Sequence, residues 1–334
     1  MNVRTAVRRT AIALVAATSL VASASAQEGE KVDLRLKVKA GDVFYFRQTQ
    51  HMDQVVHMSE EMTINTTLDL TQVSTYSIES VKDDGAAEVK VTIGDIKGKM
   101  ENPMFGTIDV DTTKDAKDAG DNPMAAMIVK PMTALANKTF TLTLDRRGAV
   151  TSIKGIKEIM EEAFKDLPIP PEMREKMGGA FDDEGMKSQM QGQFMRFADG
   201  PIAIGTSWNV ESTMKQPVEV HVRTEYKLES ADADKAVIST KGVVGVGAKK
   251  DEKDNVTGSI TVARADGMML QSETNMHMVI EMGGGGDMPK INSEQTMKVK
   301  VDRVTAAEAA RPAKKEPPPT APAPPVGNPP APPK

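Results

Sequence analysis

The sequence predicts an α+β fold built on one large, curved antiparallel β-sheet, an open or half barrel of two similar halves with helices packed on its concave side. Three observations carry this expectation. Apolar and polar residues alternate with period two through much of the chain, stretches 150 residues apart match each other, and helical periodicity is confined to inserts between the matched stretches.

The elements follow in chain order. Arg4, Arg8 and Arg9 form a positive n-region, Ala11 to Ala22 an apolar h-region and Ala24-Ser25-Ala26 a small-residue cleavage site, so residues 1–26 read as a signal peptide and the mature chain begins near Gln27. The h-region is shorter than a spanning helix needs, and no later stretch has the length and apolarity for one. The expectation is a periplasmic or secreted protein with no membrane span.

Residues 27–304 form one β-rich domain. In Val32-Asp33-Leu34-Arg35-Leu36-Lys37-Val38-Lys39 every even residue is apolar and every odd one charged, which predicts a strand with one wet face. The pattern returns in Met297-Lys298-Val299-Lys300-Val301-Asp302 and across Val218 to Glu229. Asp83-Asp84-Gly85, Arg147-Gly148 and Asp266-Gly267 punctuate such runs as hairpin turns.

Two half-units, about 32–153 and 200–304, emerge from internal matches. Tyr76-Ser77-Ile78-Glu79-Ser80 corresponds to Tyr226-Lys227-Leu228-Glu229-Ser230, Gly41-Asp42-Val43-Phe44-Tyr45 to Gly205-Thr206-Ser207-Trp208-Asn209, and Thr141-Leu142-Thr143-Leu144 to Ser259-Ile260-Thr261-Val262. Helical inserts are expected at about 122–136, with Asn122-Pro123 as N-cap and first helical residue and Pro131 as a kink, and at about 154–198. In the second, Ile156, Ile159, Met160, Ala163, Phe164 and Leu167 make one stripe, and Met186, Met190, Phe194 and Phe197 another. The last segment, 305–334, holds 11 of the 20 prolines and reads as a disordered Pro/Ala-rich tail that could meet a cell-envelope partner.

Composition narrows function. Removing the three arginines of the leader leaves 39 basic against 47 acidic side chains, a net charge of −8 that repels nucleic acid. There is no cysteine, no HExxH and no GxSxG, and Ser212-Thr213-Met214-Lys215 lacks the companion motifs of an SxxK enzyme, so no catalytic residue and no cofactor is expected. Asp109, Asp111, Asp115, Asp118 and Asp121 miss the glycine and glutamate of a calcium loop.

Methionine is abundant, 23 against 12 leucines. His51-Met52, His57-Met58 and Met276-His277-Met278 suggest soft-metal ligation, but on strands neighbouring residues point to opposite faces, so no metal site is predicted. Methionines as core filler, or as the adaptable lining of an apolar site, are the other two readings.

The string Pro131, Lys138-Thr139-Phe140-Thr141-Leu142-Thr143-Leu144-Asp145, Gly148-Ala149-Val150 and Gly155, preceded by Gly41-Asp42-Val43-Phe44-Tyr45-Phe46, resembles an exported bacterial family of unknown function over roughly residues 32–304. More distantly, the helix-covered β arrangement is similar to the periplasmic lipoprotein-carrier superfamily, whose half-barrels hold acyl chains. That likeness implies fold and no residue roles. The leading expectation is a non-catalytic protein that binds or carries a lipid, acyl chain or other hydrophobic molecule between sheet and helices. Tyr76, Met160, Phe164, Tyr226, Met268, Met276 and Met278 are the candidate lining residues. A structural envelope protein without ligand is the alternative, and a methionine-rich copper or silver binder the second.

Overall fold

The computed structural model describes residues 31–58, 62–114, 123–165, 187, 190–214, 220–246, 255–282 and 291–311. The predicted signal peptide, and the tail from Pro312 onward, lie outside the described residues. Among the described residues, twelve strands and three helices run in the order β1 (Val43–His57), β2 (Thr63–Val81), β3 (Ala87–Asn102), β4 (Gly106–Asp111), α1 (Pro123–Leu135), β5 (Thr139–Leu144), β6 (Val150–Lys154), α2 (Ile156–Lys165), β7 (Ser207–Met214), β8 (Val220–Ala231), β9 (Lys235–Val246), β10 (Val256–Ala263), β11 (Met269–Met282), β12 (Ile291–Val304) and α3 (Ala306–Ala309).

All strands join one antiparallel sheet, ordered β6-β5-β3-β2-β1-β12-β11-β10-β9-β8-β7, with β4 beside the far half of β3. It is an open sheet, because β6 and β7 form its two edges and do not pair. It is nevertheless strongly rolled. Leu144 on β5 and Tyr226 on β8 are eight strand steps apart, about 38 Å on a flat sheet at about 4.8 Å per strand, yet both line one cavity.

Each half is a meander, and the halves meet where β1 pairs with β12 from Tyr45↔Val304 to His57↔Asn292. The sequence match has a structural counterpart. Gly41 N donates to Ile78 O and Ile78 N to Asp42 O, while Gly205 N donates to Leu228 O and Leu228 N to Thr206 O. Register slips by one residue between Ile78 and Ser80 and again between Leu228 and Ser230, so Glu79 and Glu229 are equivalent β-bulges.

The apolar parity of the strands supplies the core. Phe44, Phe46, Tyr76, Ile78, Val89, Val91, Phe140 and Leu142 form its largest cluster, and Leu228, Ala236, Ile238 and Val262 a second. The opposite faces carry charge: Lys298 pairs with Glu273 at 2.8 Å, Lys227 with Glu229 at 3.0 Å and Lys300 with Asp302 at 3.1 Å. Such a face suits water, whereas a membrane barrel turns an apolar band outward. No helix among the described residues is long and apolar enough to cross a membrane.

Both longer helices pack on the cluster side of the sheet. α2 sets Ile156 and Ile159 into the largest cluster with Met160 against it, and α1 lays Val129 and Met132 on Ile96, Ile108 and Val110. α1 continues through Pro131 rather than ending there.

Three expectations change. The alternating run Val32–Lys39 is extended but is not a sheet strand. Val32 bridges Ile202, Leu36 N donates to Arg146 O and the next amide, Lys37 N, to Asp266 O, so the segment crosses the end of the rolled sheet from turn to turn. Its apolar residues are still buried, Val32 and Leu34 in one cluster and Val38 in the other. The second helical stripe is also revised. Met190 is helical and Met186 lies outside the described residues, but Phe194 and Phe197 sit in non-helical chain. The predicted tail boundary shifts too, since Thr305 caps the single turn of α3 and Arg47 Nη2 donates to Glu308 O.

Candidate functional site

The gap between edge strands β6 and β7 is bridged by residues 190–206, and this strap makes the site. Val150 N donates to Gln191 Oε1 (2.8 Å), Gln191 Nε2 to Gly148 O (3.2 Å) and Phe197 N to Arg147 O (2.8 Å), which fastens the strap to the first half. Trp208 Nε1 donates to Arg196 O (2.8 Å) and fastens it to the second. Glycine is required where the covering chain presses on the hairpin turns. A Cβ on Gly148 (φ +80°) would stand 2.3 Å from Met195 O, and one on Gly267 (φ +74°) 2.1 Å from Arg35 O.

Beneath this cover lies a cavity of about 310 Å³. Its apolar wall includes Leu36, Phe46, Phe194, Ile260, Val262 and Val301; its polar wall includes Gln48, Gln72, Ser74, Ser272 and Thr274. Tyr76 and Tyr226, the two members of the internal repeat, both line it. Tyr76 meets Phe46 and Phe194 edge-on, with ring centroids 5.0 and 5.7 Å away, and Tyr226 stacks on Trp208 at 5.5 Å. Burial pushes each phenol up to about 12, so both remain protonated donors across the physiological range. Among the described residues neither hydroxyl has a hydrogen-bond partner.

A second hollow of about 310 Å³ lies on the charged outward face, lined by Asn209, Glu211, Arg223, Glu225, Lys241 and Gly242. With no apolar side chain in its wall it is ordinary wet surface.

The seven candidate lining residues are distributed as follows. Tyr76, Tyr226 and Met268 line the cavity. Met276 and Met278 continue the face of Ser272 and Thr274 along β11 but are not part of its wall, and both are only half buried. Met160 packs against the core cluster without reaching the cavity, and the side chain of Phe164 lies outside the described residues. The polar wall escapes a sequence reading because Gln48, Gln72 and Ser74 interrupt the apolar alternation. Their parity with Phe46 and Tyr76 is the signal that finds them.

Histidine and methionine neighbours face apart. His51 holds Asp69 and Asp53 through its two ring nitrogens at 2.6 and 3.1 Å, whereas Met52 Sδ accepts from Gln295 Nε2. His277 lies 3.7 Å from Glu294 on the face opposite Met276 and Met278. Among the described residues no group of three or more His, Asp or Glu side chains could hold a metal ion.

DUF6263, a family of unknown function, matches residues 84–305, from the turn before β3 through the last strand. The chain belongs to this family. The DUF6263 match thus takes in Tyr226, Met268 and the strap but leaves β1 and β2, with Tyr76, upstream. No curated protein matches the chain in sequence. Among solved structures it is similar to lipovitellin (TM-score 0.42, 9% identity, 80% of this chain and 25% of lipovitellin). It is also similar to the translocator domain of the autotransporter NalP from Neisseria meningitidis (0.31, 7%, 80% and 91%) and to OccK7 (OpdD) of Pseudomonas aeruginosa (0.21, 7%, 79% and 99%). The chain spans about a quarter of the length of lipovitellin.

Proposed function

We propose that this member of DUF6263 is an exported, non-catalytic protein that takes up a hydrophobic small molecule or lipid in the cavity under the 190–206 strap. One observation carries the reading: a hollow of about 310 Å³ whose wall joins aliphatic and aromatic side chains to two tyrosines whose hydroxyls have no partner among the described residues. Filled cores do not leave such space, since side chains normally close voids larger than a water. An apolar pocket with a few convergent polar groups is the usual form of a ligand site. In this reading the cluster face is the concave side of the rolled sheet, and α1 and α2 shield it beside the cavity. The leader sequence supports export, and the Pro/Ala-rich segment from Pro312 is assigned to contact with the cell envelope.

Uptake of the neutral fluorophore N-phenyl-1-naphthylamine tests this. Saturable enhancement that is lost when Ser272→Trp fills the hollow supports the reading, provided the variant keeps its circular dichroism. A native-like protein that takes up no probe, and yields no organic molecule on extraction from its host, makes the ligand-free structural role the better account.

A further inference from the structure

Among the described residues the cavity wall is electrically neutral. It contains aliphatic, aromatic, thioether, hydroxyl and carboxamide groups, and among the described residues none in it is Asp, Glu, Lys, Arg or His. Two guanidinium groups at the covered end are engaged elsewhere. Arg147 bonds Asp33 Oδ1 at 3.0 Å, and Arg303 bonds Asp266 Oδ2 at 2.8 Å while lying over the Phe44 ring at 4.5 Å. A buried carboxylate or phosphate without a cation is strongly disfavoured. What the wall does offer is donors. Tyr76 and Tyr226 each present a hydroxyl without a partner among the described residues, at equivalent positions three residues before the bulges at Glu79 and Glu229.

Resting on the ligand reading above, we infer that the ligand is an uncharged amphiphile, an apolar body bearing ester, ketone or hydroxyl oxygens that accept hydrogen bonds from Tyr76 and Tyr226, and not a free fatty acid or a phospholipid headgroup. The two halves of the sheet contribute one donor each, so the ligand spans both. Gln48 and Gln72 extend the same neutral polar belt, with Gln72 Nε2 held by Ser74 Oγ at 2.9 Å.

The test displaces N-phenyl-1-naphthylamine from the purified protein with monolaurin or with laurate, at about pH 8 where a carboxylic acid is ionised. Monolaurin displaces at a concentration at least about tenfold lower than laurate. Tyr76→Phe and Tyr226→Phe each weaken monolaurin by about three- to tenfold and change the fluorophore, which lacks an acceptor oxygen, by less than they change monolaurin. Laurate competing as well as monolaurin, or tyrosine variants that lose nothing for monolaurin, overturns this inference while the ligand reading stands. Failure of all three molecules to bind removes the ligand reading and this inference together.

Discussion

Arg147 and Asp33, 114 residues apart, form an ion pair at 3.0 Å that ties the extended Val32–Lys39 segment to the β5–β6 turn. The same guanidinium donates to Leu34 O at 2.7 Å and to Asp199 O at 2.9 Å, so one side chain holds the N-terminal segment, a hairpin turn and the end of the strap together.

Arg147→Met removes three charge-assisted hydrogen bonds from a side chain only 13% exposed and is expected to cost about 2–3 kcal/mol. Urea denaturation measures it. A loss below about 0.5 kcal/mol, the range of an exposed ion pair, would mean that the cover is held by its apolar contacts alone.

Core and cavity rim respond differently to truncation. Leu228 is fully buried, and Leu228→Ala is expected to cost about 3–4 kcal/mol. Met276, half buried and beyond the cavity wall, should cost less than about 1.5 kcal/mol when cut to alanine. Equal losses at the two positions would show that the Met276 region is packed as tightly as the cluster around Leu228.

Glycine substitutions separate backbone strain from close contact. Gly41 has φ +90° and open space around its missing Cβ, so Gly41→Ala carries only the left-handed penalty of about 1–2 kcal/mol. Gly267→Ala adds a collision with Arg35 O and must push the N-terminal segment away. Thermal melts should rank Gly267→Ala well below Gly41→Ala, and the reverse order would contradict the contact between that turn and Arg35.

His51 gives the chain a pH dependence. Burial works to lower its pKa, but the hydrogen bond and charge of Asp69, with Asp53 adding to them, outweigh burial and raise it above the ordinary 6.5. Because the folded value is the higher one, the stabilisation is complete below the unfolded value and is lost as pH rises through the folded one. His51→Gln should therefore lower the urea midpoint at about pH 5.5 and have little effect at about pH 8.5. An effect of equal size at both pH values would show that the imidazole acts by packing.

The repeat was readable because its motif encodes geometry. In Tyr76–Ser80 and Tyr226–Ser230 the glutamate is the bulge, the preceding Ile78 or Leu228 bonds back to the Gly41 or Gly205 turn, and the tyrosine faces inward, so each matched residue has a backbone or packing reason. Periodicity was less informative at Val32–Lys39. Alternation reports that one face is buried and does not say whether the backbone bonds a strand or a succession of turns. Phe194 and Phe197 misled for a related reason, since a three-residue spacing fits a helix face and also a loop with both rings turned inward. The cavity itself was the least legible feature, because Gln48, Gln72 and Ser74 are polar residues on an inward face and alternation assigns polar residues outward.

The pairing of β1 with β12 has a kinetic consequence. Within each half, neighbouring strands are joined by hairpins or short inserts and can pair from local encounters, whereas Tyr45↔Val304 closes a loop of some 260 residues. Loop closure grows only slowly more expensive with length, but contacts of such sequence separation form late. The two meanders should therefore collapse first as separate units, and the joining of β1 to β12 becomes the slow step. Since the hollow needs walls from both halves, the capacity to hold a ligand is acquired only in that last step.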